Sequence, residues 1–279
     1  MFKLALLQMR VQGGRKEENI RHAEALIRRA ADEGGKVVVL PEAMTLGWTD
    51  PSAATEADEI ADGYSCRQLR RAARENNVYI CSGLVEREGT KIYNSAVLID
   101  PNGDLILHHR KLNELEIGHD FYDQGDRLQV ARTSLGTFGV MICADAFARG
   151  QVISRTLGYM GADIIVSPSA WAVPADHDQE KEPYGSLWIE NYQPVARDFH
   201  IWIAGVSNVG WITGGPWKGH QCIGCSLVVN ALGEPVLQGP YGVDAETILY
   251  IDIELEKRPA RGGGWDPLWS GSVTRTIHS

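Results

Sequence analysis

Gly136-Thr137-Phe138-Gly139-Val140-Met141-Ile142-Cys143-Ala144-Asp145 decides how this chain is read. The apolar run predicts a buried strand over 137–143 that ends at a cysteine, with a polar residue and a helix start just beyond. A cysteine inside such a strand is ordinarily a small packing residue. A strand-to-helix turn changes that reading, because open α/β sheets place their sites at the carboxyl ends of their strands. A helix N-terminus beside the sulfur also favours thiolate over thiol.

Working outward, the same kind of segment recurs. Short runs rich in Val and Ile lie at 2–9, 36–41, 78–85, 92–99, 105–109, 162–167, 201–207, 225–230 and 247–253. Several are closed by Gly, Pro, Asn or Asp, which read as turns. Asn102-Gly103 between two of them is a hairpin signal. Helical patterns lie between the strands. Over 16–33, Ile20, Ala23, Ile27, Ala30 and Ala31 recur at three- and four-residue steps, and Gly34-Gly35 ends the pattern. Segments near 65–76, 150–160 and 185–199 read the same way. Crossovers mixed with a hairpin run predict an α/β protein whose mixed sheets are covered by helices. With no linker, repeat or low-complexity stretch, one domain over 1–279 is expected. Residues 258–279, which include Gly262-Gly263-Gly264-Trp265 and Trp269, read as a C-terminal tail packed on the body or on another subunit.

A formal charge of −9 excludes binding of a phosphate backbone as the main task. The opening Met1-Phe2-Lys3-Leu4-Ala5-Leu6-Leu7 is too short for a signal-peptide core and reads as a first strand. No apolar run is long enough to span a bilayer. Five cysteines without even spacing do not suggest a disulfide framework, so a reducing cytoplasm is expected, where a nucleophilic thiol survives.

Two further strand ends carry chemistry. Val37-Val38-Val39-Leu40-Pro41-Glu42 runs an apolar strand into a carboxylate, and Leu105-Ile106-Leu107-His108-His109-Arg110-Lys111 ends in a basic cluster. Each alone reads as a solvated strand end. With the cysteine they form a chemical unit. A thiolate attacks a carbon bonded to nitrogen, a carboxylate takes the thiol proton and returns it to the departing amine, and an ammonium holds the developing oxyanion.

Pro41-Glu42, His109-Arg110-Lys111 and Ile142-Cys143-Ala144-Asp145 resemble the Glu, Lys and Cys motifs of the nitrilase (carbon–nitrogen hydrolase) superfamily, in the same chain order. The likeness extends to Gln8, Gly125-Asp126, Ser167-Pro168-Ser169, Val206-Ser207-Asn208 and Cys225-Ser226. The resemblance implies a four-layer α-β-β-α sandwich and no metal or organic cofactor. It makes Glu42 the general base and acid, and Cys143 the nucleophile that forms a thioester. Lys111 and the backbone N–H of Ala144 become the oxyanion donors. Many members carry a second Glu between the Lys and the Cys. Ungapped counting falls at Gly118, with Glu114 and Glu116 beside it, and Glu116 is the favoured candidate. Tyr122 and Trp171 are candidates for the pocket wall. The partners implied are a small-molecule substrate and further copies of the chain, as a homodimer or higher homo-oligomer.

The residue after the nucleophile bears on the substrate. Nitrile-cleaving members typically have Trp there, and this chain has Ala144. An amide or N-carbamoyl compound is therefore favoured over a nitrile, and acyl transfer from the same thioester stays open. Cys222-Ile223-Gly224-Cys225, with His220 before it, offers a non-enzymatic alternative as a metal or redox site. It has no second ligand pair for zinc and no thioredoxin-like context. Asp176-His177-Asp178 has no serine elbow or zinc-helix motif to act with and reads as a loop.

Overall fold

The structure, a computed structural model, describes residues 1–258. The expected tail over 258–279 lies, beyond Arg258, outside the described residues. The first half of the chain contains β1 (Phe2–Gln8), α1 (Lys16–Asp32), β2 (Val37–Val39), the single turn α2 (Ala53–Glu56), α3 (Tyr64–Asn76), β3 (Tyr79–Glu88), β4 (Lys91–Ile99) and β5 (Leu105–Arg110). The second half contains β6 (Val130–Thr133), β7 (Gly136–Val140), α4 (Val152–Met160), β8 (Ile164–Ser169), β9 (Ala172–Val173), α5 (Ser186–Phe199) and β10 (Trp202–Ser207). It continues with β11 (Val209–Trp211), β12 (Gln221–Ile223), β13 (Leu227–Val229), β14 (Pro235–Gln238) and β15 (Thr247–Ile253).

Two six-stranded sheets result, in the orders β15-β1-β2-β3-β4-β5 and β14-β13-β10-β8-β7-β6. Each has a parallel centre, β1-β2-β3 in one and β7-β8-β10 in the other, flanked by antiparallel strands. Parallel neighbours need crossovers, and α1, α3, α4 and α5 supply them.

Period-two alternation builds the layers. Leu4, Leu6, Val37 and Val39 pack in one core with Phe138, Val140 and Ile165 of the second sheet. Their chain neighbours Ala5, Leu7 and Val38 pack in another with Ile20, Ile27 and Leu69 of α1 and α3. Trp188, Tyr192 and Val195 of α5, with Ile153 and Leu157 of α4, join the core on the second sheet. The result is the expected α-β-β-α sandwich, with helices outside and the sheets face to face. The central strands are covered on both faces, which is why they read as nearly continuous apolar runs.

The longer elements match the sequence reading. α1 ends where Gly34-Gly35 was expected to end it, their N–H groups donating to Ala31 and Ala30 carbonyls at 2.9 Å each. β4 and β5 form the hairpin signalled by Asn102-Gly103, with Asp100 Oδ1 accepting from the N–H groups of Asn102 and Asp104. The short strands β6, β9, β11, β12 and β14, two to four residues each, were not read, because so few residues establish no period.

Candidate active site

Glu42 sits just beyond β2. The strand leaves its sheet at Leu40, and the Glu42 N–H donates to the Ser169 carbonyl at the end of β8, 3.2 Å away. The two sheets are thus tied together at their strand ends. The following residue, Ala43, turns with φ 45°. This turn lies directly against Gly83 of β3, where an added Cβ would stand 2.5 Å from Glu42 Cα. Only glycine leaves room for the carboxylate to sit where it does.

Lys111 follows β5, and its N–H donates to the Asn94 carbonyl at 2.9 Å. Alternation along 108–111 sends His109 and Lys111 inward. Lys111 Nζ donates to Glu42 Oε1 at 2.7 Å and to Glu114 Oε1 at 2.8 Å. Asn94 Nδ2 bridges the same two carboxylates, at 2.6 Å to Glu42 and 2.9 Å to Glu114. Glu42, Lys111 and Asn94 are almost wholly buried. The second carboxylate is therefore Glu114 and not Glu116, which is exposed at the start of a 3-10 turn over Glu116–Gly118. The lysine loop turns back within three residues, so Glu114 reaches Nζ and Glu116 has already turned away.

Two carboxylates share one ammonium in this cluster. Burial pushes the Glu42 carboxyl up, the Lys111 charge opposes that and Glu114 adds to it, leaving it raised. Burial alone would lower Lys111, but Glu42 and Glu114 hold its ammonium charged well above the usual range.

Cys143 begins a 3-10 helix over Cys143–Phe147 that follows the apolar strand end, and its φ of 44° lies in the left-handed region. A non-glycine residue held there costs about 1–3 kcal/mol and aims the side chain out of the strand direction. The sulfur meets the Glu42 carboxylate and accepts from the Ala170 N–H. The pull of a helix N-terminus toward thiolate is outweighed here. Burial, and then the Glu42 charge, push the thiol well above its ordinary value, against the pull of Lys111. A helix this short brings little dipole, so the resting group is a thiol whose proton faces a carboxylate. Ala144 is buried and lies in the first turn of this helix, where N–H groups have no acceptor within the helix.

Asp145, quoted with the cysteine motif but given no role from sequence, fastens the lysine loop to the cysteine turn. Its Oδ1 accepts from the N–H groups of Leu112 and Asn113 at 3.0 and 2.8 Å. Its Oδ2 accepts from Ile142 N–H and meets His109 Nε2, both at 2.8 Å. These partners hold the carboxyl below its usual range despite its burial. Asn94 and Asp145 were missed as site residues. A polar residue inside the apolar run of β4, and an acid two residues after the cysteine, were the available signals.

The cavity over these groups has a volume of about 120 Å³ and is lined by Glu42, Lys111, Cys143 and Ala144. Phe147, Trp171, Tyr184, Trp188 and Trp217 also line it. Trp171 thus stands where expected, its N–H donating to Ser207 Oγ at 2.8 Å. Tyr122 is not in the wall. It lies behind it, in an apolar cluster with Ala43 and Trp48, and its hydroxyl accepts from the Thr49 N–H at 2.9 Å. Cys222 and Cys225 are free thiols pushed up by burial, to about 12 and about 11, the reverse of a reactive dithiol. Among the described residues no group of three or more His, Cys, Asp or Glu is placed to hold a metal ion.

Comparison with known proteins shows the family and the fold. The family model described as carbon–nitrogen hydrolase matches residues 3–260. The omega-amidase NIT2 of Bos taurus is 28% identical over 266 residues, covering 92% of this chain and 90% of its own. A nitrilase of Pyrococcus abyssi is 35% identical over 178 residues, 62% of this chain and 67% of its own. The crystal structure of a carbon–nitrogen hydrolase from Helicobacter pylori G27 has the same fold, with a TM-score of 0.81 and 24% identity. That likeness covers 99% of this chain and 95% of the other.

Proposed function

The chain belongs to the carbon–nitrogen hydrolase family and is a cysteine-dependent hydrolase of C–N bonds, and from that premise we propose that it is an amidase with Glu42, Lys111 and Cys143 as its catalytic residues. One observation carries the assignment of residues: the Cys143 side chain, the Glu42 carboxylate and a Lys111 ammonium paired with two carboxylates converge on one cavity.

The steps follow from where the protons sit. Glu42 takes the Cys143 proton as sulfur attacks the carbonyl carbon. Lys111 Nζ and the Ala144 N–H stabilise the oxyanion of the tetrahedral intermediate. The C–N bond breaks as Glu42 passes its proton to the leaving nitrogen, releasing ammonia or an amine and leaving a thioester. Water then attacks the thioester carbon and gives its proton to Glu42. The C–S bond breaks, the acid departs, and the proton returns to sulfur. Glu114 and Asn94 hold the Glu42–Lys111 pair in place, and Glu114 helps keep the lysine charged. The raised Glu42 carboxyl suits a group that must both take and give a proton near neutrality.

Ammonia release from a panel of simple amides, ureido acids and nitriles tests the assignment. Cys143→Ala is expected to lower release by roughly 10⁴-fold or more; release that persists in this variant rules out the nucleophile. The name of the Pyrococcus abyssi relative keeps nitrile hydrolysis as a second reading, which Ala144 disfavours and the nitrile arm of the panel measures.

We also propose that the chain is one domain working in the cytoplasm as a homo-oligomer. Five free cysteines suit a reducing compartment. Among the described residues no helix is long and apolar enough to cross a membrane. Val152 and Tyr159 on α4 are more than half exposed, and such a surface suits a second copy.

A further inference from the structure

Apart from Glu42, Lys111 and Cys143, the cavity is lined by apolar and aromatic residues, among them Trp48, Phe147, Trp171, Tyr184 and Trp188. Trp188 joins several of these rings. It stacks on Trp171 with ring centroids 4.4 Å apart at 25°, and meets the Phe147 ring, also at 4.4 Å. Its indole N–H donates to the Tyr184 hydroxyl at 2.9 Å, so the ring is fixed in place. The polar capacity of Trp188 is thereby spent inside the wall, and what faces the cavity is apolar ring surface.

The charged cluster already holds two carboxylates on one ammonium. A substrate that brought its own carboxylate would add a third anion to a buried site in which Lys111 is shared. It would lose its water in a cavity whose lining offers no cation besides Lys111. A charge desolvated without a partner is among the most expensive groups to bury. A hydrocarbon chain of the same shape gains from the same walls.

Resting on the amidase reading above, we propose that the acyl pocket selects a short, uncharged, apolar acyl group and rejects amides that carry a distal carboxylate. A cavity of about 120 Å³ is smaller than the roughly 150 Å³ space that takes benzene, so only a short acyl chain fits and its far end reaches the Leu187 rim. Leu187, half exposed at the rim, is the nearest position where a cation could be added without opening the core.

The test uses two amides of matched shape, 4-methylpentanamide and succinamate, with the full chain. The ratio of their kcat/KM values for ammonia release is expected to favour 4-methylpentanamide by about 10²-fold or more. A ratio at or below one overturns the pocket assignment and leaves the amidase reading standing. Leu187→Arg is expected to bring the ratio down about tenfold, by giving the carboxylate a partner at the mouth; an unmoved ratio counts against the proposal. Both readouts compare two substrates in one preparation, so loss of folded protein moves neither. If neither amide releases ammonia, the amidase reading fails. The pocket is then tested alone by tryptophan fluorescence of Cys143→Ala titrated with each amide. A response to 4-methylpentanamide and none to succinamate supports the pocket, and the reverse, or no response to either, overturns it.

Discussion

Glu86 and Glu42 are both buried glutamates, and both are served by the same short run, His108 to Lys111. Alternation divides that run between them. Glu86 receives Arg110 through Nη2 at 2.5 Å and Nε at 3.0 Å, His108 Nε2 at 2.8 Å, and the Ser95 hydroxyl. Glu42 receives Lys111 and Asn94, but shares both with Glu114. Burial pushes both carboxyls up. At Glu86 the hydrogen bonds from His108 and Arg110 overcome it and bring the group down to about 2. At Glu42 the second carboxylate tips the balance and the group stays raised. Arg110 has another carboxylate beside it in Glu88, but that side chain is 62% exposed and water carries most of its charge. Burial alone therefore does not make a proton carrier. The ratio of buried carboxylates to buried donors decides which glutamate holds a proton loosely and which is locked as an anion.

The sharpest way to break this comparison is to neutralise each glutamate in turn. Glu42→Gln is expected to lower kcat/KM for ammonia release by about 10³-fold, whereas Glu86→Gln stays within roughly threefold because its site carries no proton traffic. Equal losses would remove the distinction. Next in size is Glu114→Gln. It removes one charge that raises Glu42 and one of the two acceptor oxygens that hold Lys111 and Asn94, and kcat is expected to fall about 10²-fold. Because the base must be ionised and its carboxyl is raised, the acid limb of the pH–rate profile should lie above 4.5 in the wild type. In Glu114→Gln that limb should move to lower pH, and a limb that stays fixed or moves up contradicts the charge argument. The smallest effect is on stability. Glu86 is held below its unfolded value of 4.5, so its contribution is complete above 4.5 and is lost as pH falls toward about 2. Urea unfolding at neutral pH should show Glu86→Gln weaker by about 2 kcal/mol, discounting for solvent at Arg110. That gap should close across the same pH interval, and a gap that persists at pH 2 would point to packing instead of charge.

The strand ends that present Glu42, Lys111 and Cys143 were legible because each closes an apolar run, and apolar runs are what a sequence displays most openly. The shape of the lysine loop was not. Whether Glu114 or Glu116 reaches Nζ depends on a turn of three residues, and residues two apart in a loop carry no periodic signal. The strength of the forces opposing thiolate was not legible for a related reason. The turn after Cys143 was foreseen, but its effect on sulfur depends on Glu42, a hundred residues away in the chain and in contact only through the fold. Tyr122 and Trp171 were both proposed as wall residues, and their fates differ for a local reason. Trp171 follows directly on the end of β8, whereas Tyr122 follows a 3-10 turn that carries it behind the wall. The cores, by contrast, follow from alternation alone, since Leu4 and Leu6 had to part company with Ala5 and Leu7.

Gly83 touches no reacting atom, yet the seat of the base depends on a hydrogen atom standing where a methyl group would be. An alanine there is a change of one carbon in a strand paired on both sides, which the sheet is built to survive. The turn it presses on is not. The sheet would persist while the carboxylate was displaced from sulfur and ammonium together, giving a folded protein that binds and does not turn over. Tolerance at this position is therefore set by reactivity and not by folding, and a search for damaging substitutions confined to the cavity wall would pass it by.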